Sequence, residues 1–411
     1  MASPAALQGV MMPTATAALT FWLVAAVACA TVPPPPAHSL AHLPPEHHVH
    51  AFYYLWYGTP EVDGAYKHWD HEVLPHWSEA VRQKFPHGVR FKPPEELHSP
   101  FRPSRGPYSS SSPALLRAHF TELAAEAGVG VVALSWWGAA WREGSADTQG
   151  VQTDAVLPLA LDAAAAAGIK VAFHLEPYRG RTADSVREDL VDLLGRLGEH
   201  PALLRDGAGR PVFYVYDSYH IPPAEWARLL LPGGPQSLRG GPADGLFLGL
   251  WLNRNDGDAN LLPGGFDGFY TYFASEAVSY GANPKHWPQL RRWAQKHGKL
   301  FVASVGPGYD DSKIRPWNAG AARDREGGAR YGAWWGAALD SDAHAVSITS
   351  FNEWGEGTQI EPSDDYRDRA GQQDSRLYLR LTKEWGARLA GAGGNSTAGG
   401  IGSSDLGHTE L

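Results

Sequence analysis

Cysteine is almost missing: one occurs among 411 residues, Cys29, within the first 32 positions. The rest of the chain therefore has no disulfide, no thiolate nucleophile and no cysteine metal site. A domain this large can be stable without staples, so their absence does not exclude a secretory route. Runs of like charge are lacking too, and 44 acidic against 35 basic residues leave a formal charge of −9. That balance argues against nucleic acid or an anionic membrane surface as partner. No Gly-rich phosphate fingerprint opens the first strand–helix turn, which counts against a dinucleotide fold. No Ser-His-Asp grouping is evident.

Aromatic residues are plentiful, with sixteen Trp and sixteen Tyr. Their faces stack on the apolar C–H faces of sugar rings, so the surplus suits a carbohydrate cleft, although most of them individually fill a core. Residues 15–32 are apolar and uncharged, at the lower edge of membrane-span length. Ala28-Cys29-Ala30 is a small-x-small cleavage pattern, but no Lys or Arg precedes the stretch. Residues 1–32 are thus expected to be a secretory-route leader, either a signal-anchor or a cleaved signal peptide. The Pro/His-rich stretch 33–46 reads as a disordered stem. The Gly/Ser-rich stretch 391–411, with the sequon Asn395-Ser396-Thr397, reads as a disordered tail. Residues 47–390 form one folded block.

Eight short apolar runs bounded by turn residues punctuate that block: 49–56, 129–136, 169–176, 211–216, 246–251, 266–273, 299–305 and 345–351. Such runs are expected of buried parallel strands. Helical patterns interleave them. Leu116, Phe120, Leu123 and Ala127 share one face, as do Val186, Leu190, Leu193 and Leu197 after the possible caps Thr182, Asp184 and Ser185. Gly128 and Gly168 each stand where a helix would end before a strand. The expected fold is therefore an α/β, (β/α)₈ TIM barrel with a single catalytic domain.

A barrel's active site lies at the carboxyl ends of its strands. Those ends carry Tyr54 and Trp56, Trp136 and Trp137, Glu176, Tyr214, Tyr216 and Asp217, Asn253 and Arg254, Tyr270 and Tyr272, then Asn352 and Glu353. Carboxylates, amides and aromatics of this kind suit sugar hydroxyls and sugar faces. Glycoside cleavage needs one group to protonate the leaving oxygen and another to supply or generate a nucleophile. Glu353 and Glu356 are three apart, and a turn permitted by Gly355 and Gly357 lets both face one cavity. Close carboxylates separate in pKa, leaving one protonated near neutrality. Spacing alone is equally compatible with two solvated surface glutamates.

The segment Ser347-Ile-Thr-Ser-Phe-Asn-Glu-Trp-Gly-Glu-Gly-Thr-Gln-Ile-Glu-Pro362 resembles the catalytic signature of the endo-α-1,2-mannosidases, glycoside hydrolase family 99. Phe52-Tyr-Tyr-Leu-Trp-Tyr-Gly58, His68-Trp-Asp-His71, Tyr270-Thr-Tyr-Phe-Ala274, Ser304-Val-Gly-Pro-Gly-Tyr309 and Arg315-Pro-Trp-Asn318 resemble the same family, so the likeness covers roughly residues 50–385. The resemblance implies retaining hydrolysis of the α-1,2-mannosidic bond of glucosylated high-mannose N-glycans without a protein nucleophile. Glu353 would then be the base toward the sugar's own 2-hydroxyl, and Glu356 the acid that later activates water. It also implies a Golgi membrane location through a single-pass type II leader, with secretion as the alternative. The sequence departs from the family's pattern at Gly355, where His is usual, which bears on specificity without removing either carboxylate.

Tyr54, Trp56, Tyr270 and Tyr272 alternate along strands, so some line the cleft and others enter the core. One of Trp136 and Trp137 is expected to reach sugar, and Trp136 is the candidate. Glu176 is expected to bind a substrate hydroxyl, the alternative being an ion pair with Arg179 or Arg181. Asn352 would orient Glu353 or bind a hydroxyl, and Arg315 and Trp317 sit in a loop able to cap the cleft. His47, His48 and His50 are a poor metal set because no carboxylate shell supports them at the stem–strand junction. His68 and His71 belong to a loop that resembles the family's and are expected to shape the aglycone side, and the chemistry needs no metal, so neither metal nor cofactor is expected. The expected partner is an N-glycan or α-mannan oligosaccharide, with membrane contact only through the N-terminal segment. Two competing readings are a barrel hydrolase of another α-mannan or polysaccharide, and a carbohydrate-binding barrel without turnover. Both glutamates being present argues against the latter.

Overall fold

The structure is a computed structural model that describes Leu40 and residues 43–396. Eight parallel strands close into a barrel in chain order. They are β1 (Val49–Tyr53), β2 (Val131–Trp136), β3 (Lys170–Leu175), β4 (Val212–Val215), β5 (Leu246–Leu250), β6 (Gly268–Tyr270), β7 (Leu300–Val305) and β8 (Ala345–Ile348). Closure is direct, with Val49, His50 and Ala51 of β1 paired to Val346, Ser347 and Ile348 of β8. The expected barrel is what forms, and each strand falls within its expected run.

Helices α1 (Pro113–Glu122), α2 (Leu157–Ala167), α3 (Ala183–Leu197), α4 (Pro223–Leu230), α5 (Trp287–His297), α6 (Ala329–Asp340) and α7 (Leu377–Ser396) surround the sheet. Between β5 and β6 stand only the short turns Gly257–Leu261 and Leu262–Gly264. Local chemistry sets several boundaries. The Thr182 side chain accepts from the Ser185 backbone N–H and Ser185 answers in kind, a capping box that starts α3. Gly128 and Gly168 end their helices in the left-handed region, at φ 65° and 73°, where a side chain is disfavoured.

Alternation assigns each strand residue to a side. Val132, Leu134, Phe173, Phe213, Phe247 and Phe301 face outward and pack with Leu116, Phe120, Leu123, Leu190 and Leu193 of the helices. Truncating one of these, as in Leu116→Ala, removes a fully buried side chain and costs about 2–5 kcal/mol. Phe52, Ala133, Ala172, Tyr214, Leu248, Tyr270 and Val302 face inward and fill the barrel.

Two expectations need correction. Strand β6 is much shorter than residues 266–273, because Tyr272 adopts φ 53° and the ladder stops. The Ser304 hydroxyl instead accepts from the Thr271 and Tyr272 backbone N–H groups. The fold also overruns its expected limits. Leu40, within the expected stem, is buried among the inward residues and its carbonyl meets His48 Nε2 at 3.1 Å. Helix α7 continues to Ser396, past the expected start of the tail. The leader 1–32 and most of the stem and tail lie outside the described residues. Among the described residues no helix is long and apolar enough to cross a membrane.

Candidate active site

Beyond β8 the chain stays tied to β1, first by the Phe351 backbone N–H, which donates to the Phe52 carbonyl (2.9 Å), and then by a side chain. Asn352 Oδ1 accepts from the Tyr54 backbone N–H (2.8 Å), and its Nδ2 donates to the Tyr54 carbonyl (3.0 Å). The Tyr57 hydroxyl donates to the Asn352 carbonyl (2.8 Å) and accepts from the Trp354 N–H (3.2 Å). Residues Trp354–Glu356 then make one 3₁₀ turn, closed by Gly357 at φ 61°. This turn brings both carboxylates to the cleft, and Gly357 is its left-handed residue.

A buried polar network supports the turn from below. Trp354 Nε1 donates to Glu361 (2.8 Å), and the Tyr108 hydroxyl donates to the same oxygen (2.7 Å). The other Glu361 oxygen lies 3.1 Å from His119 Nε2, while His119 Nδ1 meets the Tyr53 hydroxyl at 2.8 Å. Such a network holds the loop in one geometry because every broken bond would strand a buried polar group.

Glu353 is buried, and its Oε2 has no hydrogen-bond partner. Burial, then the neighbouring Glu356, pushes its carboxyl well above the ordinary carboxylate range. Glu356 differs in one respect: its Oε1 accepts from Arg315 Nη1 at 3.1 Å. Arg315 is anchored by Asp311 (3.1 Å), whose two oxygens accept from Asn318 Nδ2 at 3.1 and 3.0 Å. Burial still raises Glu356 against the pull of Arg315. The two glutamates are thus coupled and favour holding a proton between them.

Aromatic residues wall the cleft. Tyr54 stacks on Trp56 at 4.4 Å, and Trp56 on His68 at 4.0 Å and 8°. His68 is hydrogen-bonded to Asp147. Burial would raise the Asp147 carboxyl, but His68 and the backbone N–H groups of Gln149 and Val151 hold it below its usual range. The Tyr54 and Tyr272 hydroxyls are bonded to each other. From β3, Glu176 accepts from the Ser135 hydroxyl (2.8 Å) and lies 3.0 Å from His174 Nδ1. It makes no ion pair with Arg181, whose guanidinium donates to the Leu175, Tyr216 and Asp217 carbonyls. Trp56 Nε1 and Trp137 Nε1 are buried without partners, as is Glu353 Oε2. Such open valences also occur away from the cleft, at Trp251 and Trp335 Nε1 among others, and those beside the glutamate pair are groups that a hydroxyl-rich ligand can bond.

Of the candidates, Tyr54, Trp56, Glu176, Tyr272, Arg315, Glu353 and Glu356 are brought together. Trp136 is not. It faces outward, packs in the sheet–helix layer near Phe173 and donates to Asp154 (2.9 Å), so Trp137 is the cleft-side member of the pair. Tyr270 is inward-facing but fully buried a layer deeper, bonded to His174 Nε2 at 2.9 Å. Asn352 is also fully buried, its amide committed to Tyr54, so it positions Glu353 and leaves no group for a hydroxyl. Asn253 and Arg254 are exposed beyond β5. Asp311, Tyr108, His119 and Glu361 were not anticipated. Asp311 had a faint signal, four residues before Arg315; Glu361 lies in the same segment as the glutamate pair, and Tyr108 and His119 come from distant segments. Among the described residues no cluster of three or more His, Cys, Asp or Glu is placed to hold a metal.

Comparison with known proteins agrees with the barrel and gives its family. The family model described as glycosyl hydrolase family 99 matches residues 44–391. A rat protein named glycoprotein endo-alpha-1,2-mannosidase is 41% identical over 88% of this chain and 79% of its own length. A human protein named glycoprotein endo-alpha-1,2-mannosidase-like protein is 43% identical over 82% of this chain and 74% of its own. The solved family 99 endo-alpha-mannosidase of Bacteroides thetaiotaomicron is 40% identical, with a TM-score of 0.75 over 84% of this chain and 98% of that one. With its barrel, its paired glutamates and relatives at this level of identity over most of their length, the chain belongs to glycoside hydrolase family 99.

Proposed function

We propose that this protein is a retaining endo-α-1,2-mannosidase that cuts the α-1,2-mannosidic bond of glucosylated high-mannose N-glycans, releasing a glucosyl-mannose unit. The observation carrying this is the Glu353–Glu356 pair, with a buried, unpartnered Glu353 oxygen and Glu356 gripped by Arg315. The names and identities of the rat and human relatives support the substrate class.

In the reaction, Glu353 takes the proton of the sugar's 2-hydroxyl. The freed oxygen attacks C1, the bond from C1 to the leaving oxygen breaks, and Glu356 protonates that oxygen. The product of this step is a 1,2-anhydro sugar. Glu356, now ionised, removes a proton from water. The water oxygen attacks C1, the epoxide C1–O2 bond opens, and O2 recovers its proton from Glu353. Two inversions give net retention. A sugar hydroxyl donating to Glu353 Oε2 favours the ionised form of that carboxyl and moves the shared proton to Glu356.

A second reading exchanges the two roles, and the Arg315–Glu356 contact favours it because a guanidinium stabilises an ionised Glu356. Substrates with an activated aryl leaving group separate them. Glu356→Gln should retain turnover of such a substrate while losing that of the glycan, and Glu353→Gln should lose both. The opposite pattern assigns the acid to Glu353. Product analysis with glucosylated high-mannose N-glycan tests the substrate; release from yeast-type α-1,2-mannan alone would overturn it. The apolar stretch 15–32 supports a Golgi membrane location as a single-pass type II protein, with secretion as the alternative, and fractionation of tagged full-length chain decides between them.

A further inference from the structure

Position 355 sits between the two catalytic carboxylates, and its backbone does not demand glycine, since its φ is not among the positive ones. What excludes a side chain there is space. A Cβ on Gly355 would lie 2.9 Å from His98 Cδ2, 3.2 Å from His98 Nε2 and 3.1 Å from Glu353 Oε1. The imidazole of His98 and the carboxylate of Glu353 thus flank the same point from two sides. His98 cannot swing away cheaply, because it is 1% exposed and packed against His71 (5.8 Å, 18°), the edge of Trp69 (5.9 Å) and Tyr57 (6.3 Å). Its segment is pinned by Lys313, which donates to the Leu97 carbonyl at 3.0 Å from the same stretch that presents Asp311 and Arg315.

We infer that His98 is a positioning residue for turnover: its imidazole occupies the side-chain volume of position 355 and backs Glu353, leaving Glu353 Oε2 toward the cleft. It follows that a side chain at 355 and the imidazole at 98 exclude each other, and that one imidazole in that volume is needed, from either backbone position. The inference rests on Glu353 acting in the proposed reaction, and its steric half stands apart from it.

The test is a reciprocal exchange, with the full chain. His98→Gly empties the volume and Gly355→His overfills it; each should lower kcat by about 10- to 100-fold, as expected when a reacting group is displaced. His98→Gly should also move the pH dependence of kcat, which a remote packing defect would leave alone. The double variant His98→Gly/Gly355→His should recover most of the loss in both kcat and melting temperature, showing the coupling of neighbouring sites. If His98→Gly keeps wild-type kcat and pH profile, or if the folded double variant is no better than the singles combined, the inference is wrong. Should Gly355→His fail to fold, Gly355→Ala replaces it: its loss in melting temperature should be relieved by His98→Gly, while kcat of that double variant stays at the level of His98→Gly, because it has no imidazole. Wild type that fails to release disaccharide would count against the proposed function; the melting-temperature coupling would still decide whether the two positions share one volume.

Discussion

The floor and the mouth of the barrel are built from similar residues and differ in how completely those residues bond. At the floor, His50 Nδ1 meets the Tyr214 hydroxyl at 2.6 Å and its Nε2 meets the His47 carbonyl at 2.9 Å. Tyr214 and Tyr270 pack edge to face at 4.9 Å beneath His174. At the mouth, Trp56, Trp137 and Glu353 each keep a buried polar atom without a partner. Aromatic and titratable residues alone therefore do not identify a site in this fold. The floor spends their hydrogen bonds on stability, whereas the mouth keeps some in reserve, and only reserved groups can bind or move a proton on a substrate.

Substitutions at the mouth should separate activity from stability. Glu353→Gln is expected to lower kcat by about 10²–10⁴-fold, the usual contribution of an acid–base group. Because burial and Glu356 raise its carboxyl, folding favours the neutral form. That contribution is complete below the ordinary carboxylate pKa and is lost as pH rises. The glutamine variant should therefore melt a few degrees higher than wild type at neutral pH, and the gain should vanish in acid. A lower melting temperature at neutral pH would contradict the open valence at Glu353.

Asn352→Ala lies between the two regions. It strands the Tyr54 backbone N–H and carbonyl, each worth about 1–3 kcal/mol when left unsatisfied, and loosens Glu353. Denaturant unfolding and kcat should fall together, unlike in Glu353→Gln. Acid should weaken the floor and the mouth alike, since burial pushes the imidazoles of His50 and His71 down to about 3. Below about 6.5 the unfolded chain takes up protons that the folded chain refuses until about 3, so stability is lost as pH falls through that window. Each such histidine removes about 1.4 kcal/mol per pH unit there. His50→Phe should flatten the slope of melting temperature against pH; an unchanged slope would mean that His50 is not held neutral.

Trp56→Ala removes a ring stacked on both Tyr54 and His68 and should raise KM about 10-fold, with a smaller effect on kcat. The mildest change is expected at the floor. Tyr214→Phe should cost about 1 kcal/mol in unfolding free energy and leave kcat and KM at wild-type values. A loss of activity there would erase the distinction between floor and mouth.

Much of this architecture was legible in the chain itself. Eight apolar runs, glycines after helices and the Thr182 cap are local signals, and the fold obeys them because each is a short-range preference. The paired glutamates were readable in the same way, lying in one loop after the last run. The errors have a common cause. Alternation gives the side a residue faces but not its depth, so Tyr270 and Tyr272 looked equivalent although one is fully buried on His174 and the other reaches Tyr54. Trp136 and Trp137 differ by one position at a strand end, where a single step reverses the face.

What the sequence determined by itself was the barrel and the place of the two glutamates proposed to react, in one loop after the last strand, because periodicity and a contiguous motif need no distant partner. Only closure of the barrel decided their surroundings. It set β1 beside β8 and so placed Asn352 on the backbone of Tyr54, 298 residues away. It also brought His98 into the space above Gly355 and Arg315 onto Glu356. Contacts of this kind depend on where two remote segments come to rest, and a local pattern carries no record of that.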